Sequence, residues 1–191
     1  MERLLERAGR AQVTLVATKA GRPLYEKLGF GATATNTMYV GHPTSVTPDG
    51  RSRAATTGDL PGILELDQRA MGVDRAALLV RLFDYTERLY VVERADRVVA
   101  YGGAWRGSDK VIVGPLIAER TDDALALLDD LAASVRGSFR LEAHSERPHL
   151  VRWAVAHGLR EQAVITPMAL RDEPLPGERG LWHLPLSVAV N

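Results

Sequence analysis

The 191-residue sequence contains no cysteine, which excludes a disulfide framework, thiolate metal centres and a cysteine nucleophile. Net charge is missing as well: 24 basic and 24 acidic residues cancel. The chain therefore lacks the electrostatic footprint of a phosphate-backbone binder or a polybasic membrane anchor. No long apolar run is present. The cleanest, over 111–118, is interrupted by Gly114 and Pro115 and falls far short of the ~20 residues that span a bilayer. The first ten residues, MERLLERAGR, are charged throughout and hold no apolar signal region. These absences read together as a cytoplasmic protein with neither nucleic acid nor membrane as partner. The five histidines form no His-x-x-x-His and no His-x-Glu on a helix, so no metal is expected.

What is present is an ordinary globular composition, 46% hydrophobic and 25% charged. Residues 41–52, GHPTSVTPDGRS, offer almost nothing to bury and read as a linker. The segment before it carries six basic and three acidic residues and the chain from Thr44 onward eighteen and twenty-one, so the neutral total joins two units of opposite charge. The expected organisation is a strand–helix–strand unit over 1–43, a linker over 44–52, a complete domain over 53–170 and a tail over 171–191.

Hydrophobic periodicity predicts strands over 13–18 and 33–40 around a helix at 21–28, with a further helix over 1–8. Downstream it predicts a short strand from 53, helices over 59–70 and 74–84, and three strands over 89–93, 98–105 and 111–118. A helix from Thr121 with Leu125, Leu128, Leu131 and Ala132 on one face follows. A strand over 139–143, a helix over 148–156 and a strand over 164–170 close the domain. Residues 181–190 are a candidate strand that Pro185 would confine to an edge.

The two units repeat each other. Leu15 and Ala17 align with Leu141 and Ala143 at an offset of 126, and Gly29 and Thr37 with Gly158 and Thr166 at 129. Met1 then corresponds to Leu127, so most of the second unit's front has no counterpart in the first. The expectation is the back third of one domain followed by all of a second. Orphan strands need partners, so residues 12–40 are expected to pair with the second unit's sheet or with another copy in a two-fold homodimer.

Residues 13–30, VTLVATKAGRPLYEKLGF, resemble the closing segment of the Gcn5-related N-acetyltransferases, the GNAT superfamily. LDQRAMGVDRAALL and VGPLIAERTDDALALL make residues 53–170 resemble a second, divergent domain of the same superfamily. The resemblance implies an α/β (α+β) fold, a mixed, mostly antiparallel central sheet flanked by helices, with acetyl-CoA as acyl donor and no metal. It implies that the amine of a small acceptor attacks the thioester directly.

An attacking amine must be neutral and a departing thiolate must be protonated, so a base and a donor are needed. By the motif the donor falls on Tyr25; the competing reading is a core tyrosine one turn from Leu28. Candidate bases are His144 and Glu93, with Glu119 behind them; each is also an ordinary strand-end residue. Val113, Gly114, Leu116 and Ile117 would hold the pantetheine arm as an added strand, with Arg120 and Thr121 at the phosphates. The superfamily places a glycine-rich loop there, whereas this chain reads ERTDD. Asp67, Asp74 and Arg75 fall on the substrate side; alternatively Asp74 caps a helix and Arg75 pairs with an acid. Two functions stay open: an N-acyltransferase, and a degenerate binding module of the same fold that no longer holds CoA productively.

Overall fold

The computed structural model describes residues 9, 11–171 and 174–187. Its first elements are strand β1 (Thr14–Thr18), helix α1 (Arg22–Lys27) and strands β2 (Phe30–Ala32) and β3 (Asn36–Gly41). After the linker come β4 (Ser52–Ala54), α2 (Leu60–Met71), α3 (Ala76–Val80) and α4 (Leu82–Tyr85). A meander of β5 (Arg88–Arg94), β6 (Arg97–Arg106) and β7 (Val111–Ala118) leads to α5 (Thr121–Ser134) and β8 (Phe139–His144). Helix α6 (Pro148–Ala156), β9 (Arg160–Leu170) and β10 (Trp182–Leu184) complete the order. The helix expected over 1–8 lies outside the described residues.

All ten strands join one mixed, mostly antiparallel sheet in the order β1-β9-β3-β8-β7-β6-β5-β4, with β2 on β9 and β10 on β7. Helices flank it on both faces. Leu127, Leu128 and Leu131 of α5 and Leu150 and Trp153 of α6 share one core with Val111, Phe139 and Leu141. Ile63, Leu66 and Met71 of α2 share the other with Val91 and Tyr101. No helix among the described residues is long and apolar enough to cross a membrane.

Local chemistry explains most boundaries. Thr56 and Asp59 form a reciprocal capping box ahead of α2, satisfying amide groups that would otherwise lack partners. The helix stops at Gly72, where φ is +68° and an added Cβ would lie 2.4 Å from the Gly177 nitrogen. Ala95 and Asp96 both have positive φ, which gives the tight β5–β6 turn its twist. The linker is tied down: Asp130 of α5 accepts hydrogen bonds from the Gly50 and Ser52 amides at 2.8 and 3.1 Å.

Three elements differ from expectation. The helix expected over 74–84 is two short ones, α3 and α4, hinged at Arg81. β9 begins at Arg160 because its polar start, Arg-Glu-Gln, pairs with β3 rather than burying side chains. On α5 the buried apolar stripe is Ala124, Leu127, Leu128 and Leu131, with Leu125 and Ala132 at its margin.

The repeat becomes an exchange of strands. β3 lies between β8 and β9, and β9 lies between β1 and β3, so each unit's last strand pairs with the other unit's preceding one. Ala17 faces Thr166 on one side and Ala143 faces Thr37 on the other. These are the residues that the repeat equates, with partners traded. Asn36 opposite Ile165 sits at the centre of this local two-fold. The ladder obeys it outward as well: Gly31 pairs with Ala169 as Val40 pairs with Arg160. Gly29 and Gly158, at φ +87° and +81°, end the two equivalent helices alike.

Because β3 is hydrogen-bonded on both edges, its amides should exchange with solvent as slowly as those of β8, although they belong to the first unit. Hydrogen exchange read by mass spectrometry checks this; fast exchange over 36–41 beside a protected β8 contradicts the pairing.

Candidate functional site

The sheet opens at one place. β7 and β8 run parallel but pair only at Val111–Phe139 and Ile112–Arg140, after which the two strands part. The opening is filled by the chain itself. β10 runs antiparallel to β7, with Trp182 opposite Ile117 and Leu184 opposite Leu116, and its Leu184 joins the core beneath. The fit is close at Gly114, where an added Cβ would lie 1.9 Å from the Pro185 carbonyl oxygen.

The helix that starts below this opening carries acidic residues in its first turn. Asp123 on the first turn of α5 is buried and accepts two bonds from Arg94 Nη2, both at 2.9 Å, with Arg51 Nη1 at 3.8 Å. A carboxylate in the first turn compensates the helix dipole and sets a negative charge beside the amides that could otherwise hold a phosphate. Thr121 and Arg120 are exposed, while Val113, Gly114, Leu116 and Ile117 are buried in β7.

The expected catalytic residues stand apart. Tyr25 packs edge-on against Phe30 at 6.0 Å beside β1, and its hydroxyl makes no hydrogen bond with the described residues. Glu93 is on β5, bound by Arg53 at 2.9 and 2.6 Å, and His144 ends β8. Three strand steps separate β8 from β1 and from β5, roughly 14 Å each way, so these groups form no single site. His144 accepts the Glu146 amide on Nδ1 at 3.1 Å, and burial lowers its pKa. The ring is thus neutral near pH 7 with its proton on Nε2, a donor rather than a base. Glu119 is held by Arg97 and also by Arg69, which lower its pKa to about 2.

On the substrate side the charges serve one another. Arg75 donates Nε to Asp67 at 3.0 Å, and the buried Tyr101 hydroxyl donates to the same carboxylate. Asp74 accepts the Ala76 amide at 2.8 Å at the start of α3. Among the described residues no cluster of three or more His, Asp or Glu side chains is placed to hold a metal ion.

A cavity of about 640 Å³ opens at the end of β8, walled by His144, Arg147, Arg179, Trp182, Met168 and Leu15. It draws on both units and on the tail. Sequence reading passed over Arg147, Arg179 and Trp182. The available signal was the repeated Arg-Pro pair: Arg22 forms an exposed helical ion pair with Glu26, whereas Arg147 turns inward to the carbonyls of the tail.

The mixed sheet with two parallel strands that part after two residue pairs suits an acetyltransferase fold, and the chain belongs to the GNAT acetyltransferase family: the model of the Acetyltransferase (GNAT) domain matches residues 63–182. The N-acetyltransferase YitH of Bacillus subtilis strain 168 is 30% identical over 182 residues, covering 93% of this chain and 64% of its own length. A solved acetyltransferase of Pyrococcus horikoshii superposes on all of the chain with a TM-score of 0.80 at 19% identity, and the chain spans 64% of it. A GNAT-family structure from Novosphingobium aromaticivorans gives 0.61 over 85% of the chain and 75% of its own, at 16% identity. At those identities the two structures show the fold alone.

Two outcomes follow from the seam. Gly114→Ala forces a Cβ onto the Pro185 carbonyl and should destabilise the protein by about 1–3 kcal/mol, with new proteolytic cleavage within 175–187 as β10 detaches; an unchanged denaturation midpoint contradicts the packing. His183 of β10 has its pKa lowered from 6.5 to about 4, by burial first and then by Arg147 and His149. The unfolded chain takes up this proton first, so the stabilisation is complete above pH 6.5 and is lost as pH falls toward 4. The full shift is worth on the order of 3 kcal/mol. Denaturant titrations across that range should be steeper in pH for the parent than for His183→Gln.

Proposed function

We propose that the protein serves acetyl transfer from acetyl-CoA to the amine of a small acceptor, by direct attack in a ternary complex, and that the β7–β8 seam is not where the donor binds. Strand β10 on β7 carries this reading. A pantetheine arm held as an added strand needs the same β7 edge, and the phosphates need the helix start that Asp123 occupies. The second unit then acts as a closed scaffold: it supplies β9 to the first unit's strands and one wall of the cavity. Tyr25, half-buried with a free hydroxyl, remains the candidate proton donor on the first unit.

The alternative, a binding module without turnover, is favoured by the same closed seam and differs only in whether the first unit's strands reach a bound donor. A cytoplasmic location and a two-fold homodimer also belong to this proposal. For the dimer, the described residues place no strand on the edge of β1 away from β9.

Calorimetry with acetyl-CoA tests the reading at millimolar cofactor, the upper end of the usual range for enzyme substrates. The expected result is saturable binding that Arg120→Ala leaves unchanged, since the donor does not touch the head of α5; no saturable heat overturns the transfer reading in favour of the binding module. A loss of about tenfold or more in the Arg120→Ala variant would overturn it, a loss that the release of one charge-assisted phosphate contact would cause.

A further inference from the structure

We propose that the cavity at the end of β8 binds the carboxylate of a small apolar acid. The inference rests on donors that the fold aims at a cavity wall and does not use. Arg147 gives Nε to the Trp182 carbonyl at 3.0 Å and Nη2 to the Arg179 and Gly180 carbonyls at 2.6 and 3.1 Å. Its Nη1 donates to nothing among the described residues. Arg179 gives Nε to the Pro176 carbonyl at 2.9 Å and Nη1 to the Met71 sulfur at 3.4 Å, a weak acceptor, and its Nη2 donates to nothing among the described residues. Neither guanidinium meets a carboxylate among the described residues, unlike Arg53, Arg75, Arg94 and Arg97 elsewhere in the chain.

Both cations are partly buried, and burial lowers the pKa of each. A guanidinium still does not deprotonate in a protein, so both charges stay in the wall without an ion pair among the described residues. Trp182 holds the Arg179 guanidinium 5.7 Å from its ring centroid, which fixes the fork's orientation. His144 Nε2–H is a third donor on the same wall. Met168, Leu15 and the indole face supply apolar surface beside Thr14 and Thr33.

A carboxylate suits this set better than a phosphate. Planar forks match carboxylates bidentately. Glu146 lines the same cavity without an ion pair, and its charge repels a dianion about twice as strongly as a monoanion. Pro167 and Pro174, also in the lining, have no backbone N–H to contribute to a phosphate nest.

Calorimetry on the full chain with phenylacetate, phenylacetamide, phenethylamine and phenyl phosphate tests the proposal without any acetyl donor, so its failure is separable from failure of the transfer reading. Phenylacetate is expected to bind saturably and the amide and amine not to. Arg179→Met should weaken phenylacetate by about tenfold or more, the worth of a lost charge-assisted bond, with thermal unfolding confirming that the variant is folded. Glu146→Gln, an exposed change that leaves the fold intact, should tighten phenylacetate severalfold. The proposal is overturned if the amide binds as tightly as the acid, if phenyl phosphate binds more tightly than phenylacetate, or if folded Arg179→Met retains the parent's affinity. Should Arg179→Met fail to fold, an affinity in Glu146→Gln that is unchanged or lower overturns it.

Discussion

The rest of the structure depends on the antiparallel pair β3·β9, centred on Asn36 opposite Ile165. A strand–helix–strand fragment has too little apolar surface to fold alone, and its strand edges are open to any partner. By trading last strands, the two units satisfy both edges of β3 and both edges of β9 at once. The cost is that neither unit is independent. Phe30 and Ala17 of the first unit and Met168 of the second form a small core drawn from both.

The exchange also shapes what the second unit can do. With β3 fixed against β8, the strand that parts from β8 at Ile112 has one free edge, and the tail closes it. Burying that edge removes unpaired backbone groups from water at small net cost, because β10 pairs them. Asp123 completes the closure electrostatically. Its carboxylate would be costly to bury alone, and Arg94 together with the helix dipole offsets that cost. A seam filled by a strand and headed by a buried carboxylate is stable in itself.

Much of the fold was legible because its signals are local: the apolar run of β7, the Ala-Asp turn, and the glycines that end α1 and α6. The repeat was legible through spacing, and it equated the right residues. What it did not reveal was that Ala17 and Ala143 trade partners, since pairing across 126 residues is set by topology and not by any feature of either strand. The candidate site failed for a related reason. The stretch LWHLPLSVAV shows a strand, but its place in the seam depends on how far β7 and β8 separate. The resemblance put Asp67 and Arg75 on the substrate side, with pairing of Arg75 to an acid as the alternative; three-dimensional proximity shows that pairing, with Asp67 as the acid beside Tyr101.

The balanced composition acquires a physical meaning at this point. Twenty-four cations and twenty-four anions allow every guanidinium a carboxylate, and along α2, β5 and the head of α5 the chain comes close to that limit, with Asp59, Asp67, Glu119 and Asp123 each claimed by arginine. Arg147 and Arg179 stand out against that economy. Both are partly buried, and their bonds to carbonyls hold the tail while forming no ion pair among the described residues. A fold that pairs its other partly buried arginines with acids, yet leaves two facing the same cavity without one, has moved its capacity for anions away from the helix start where the family's architecture would place it. That capacity now lies in a pocket built jointly by both units and the tail.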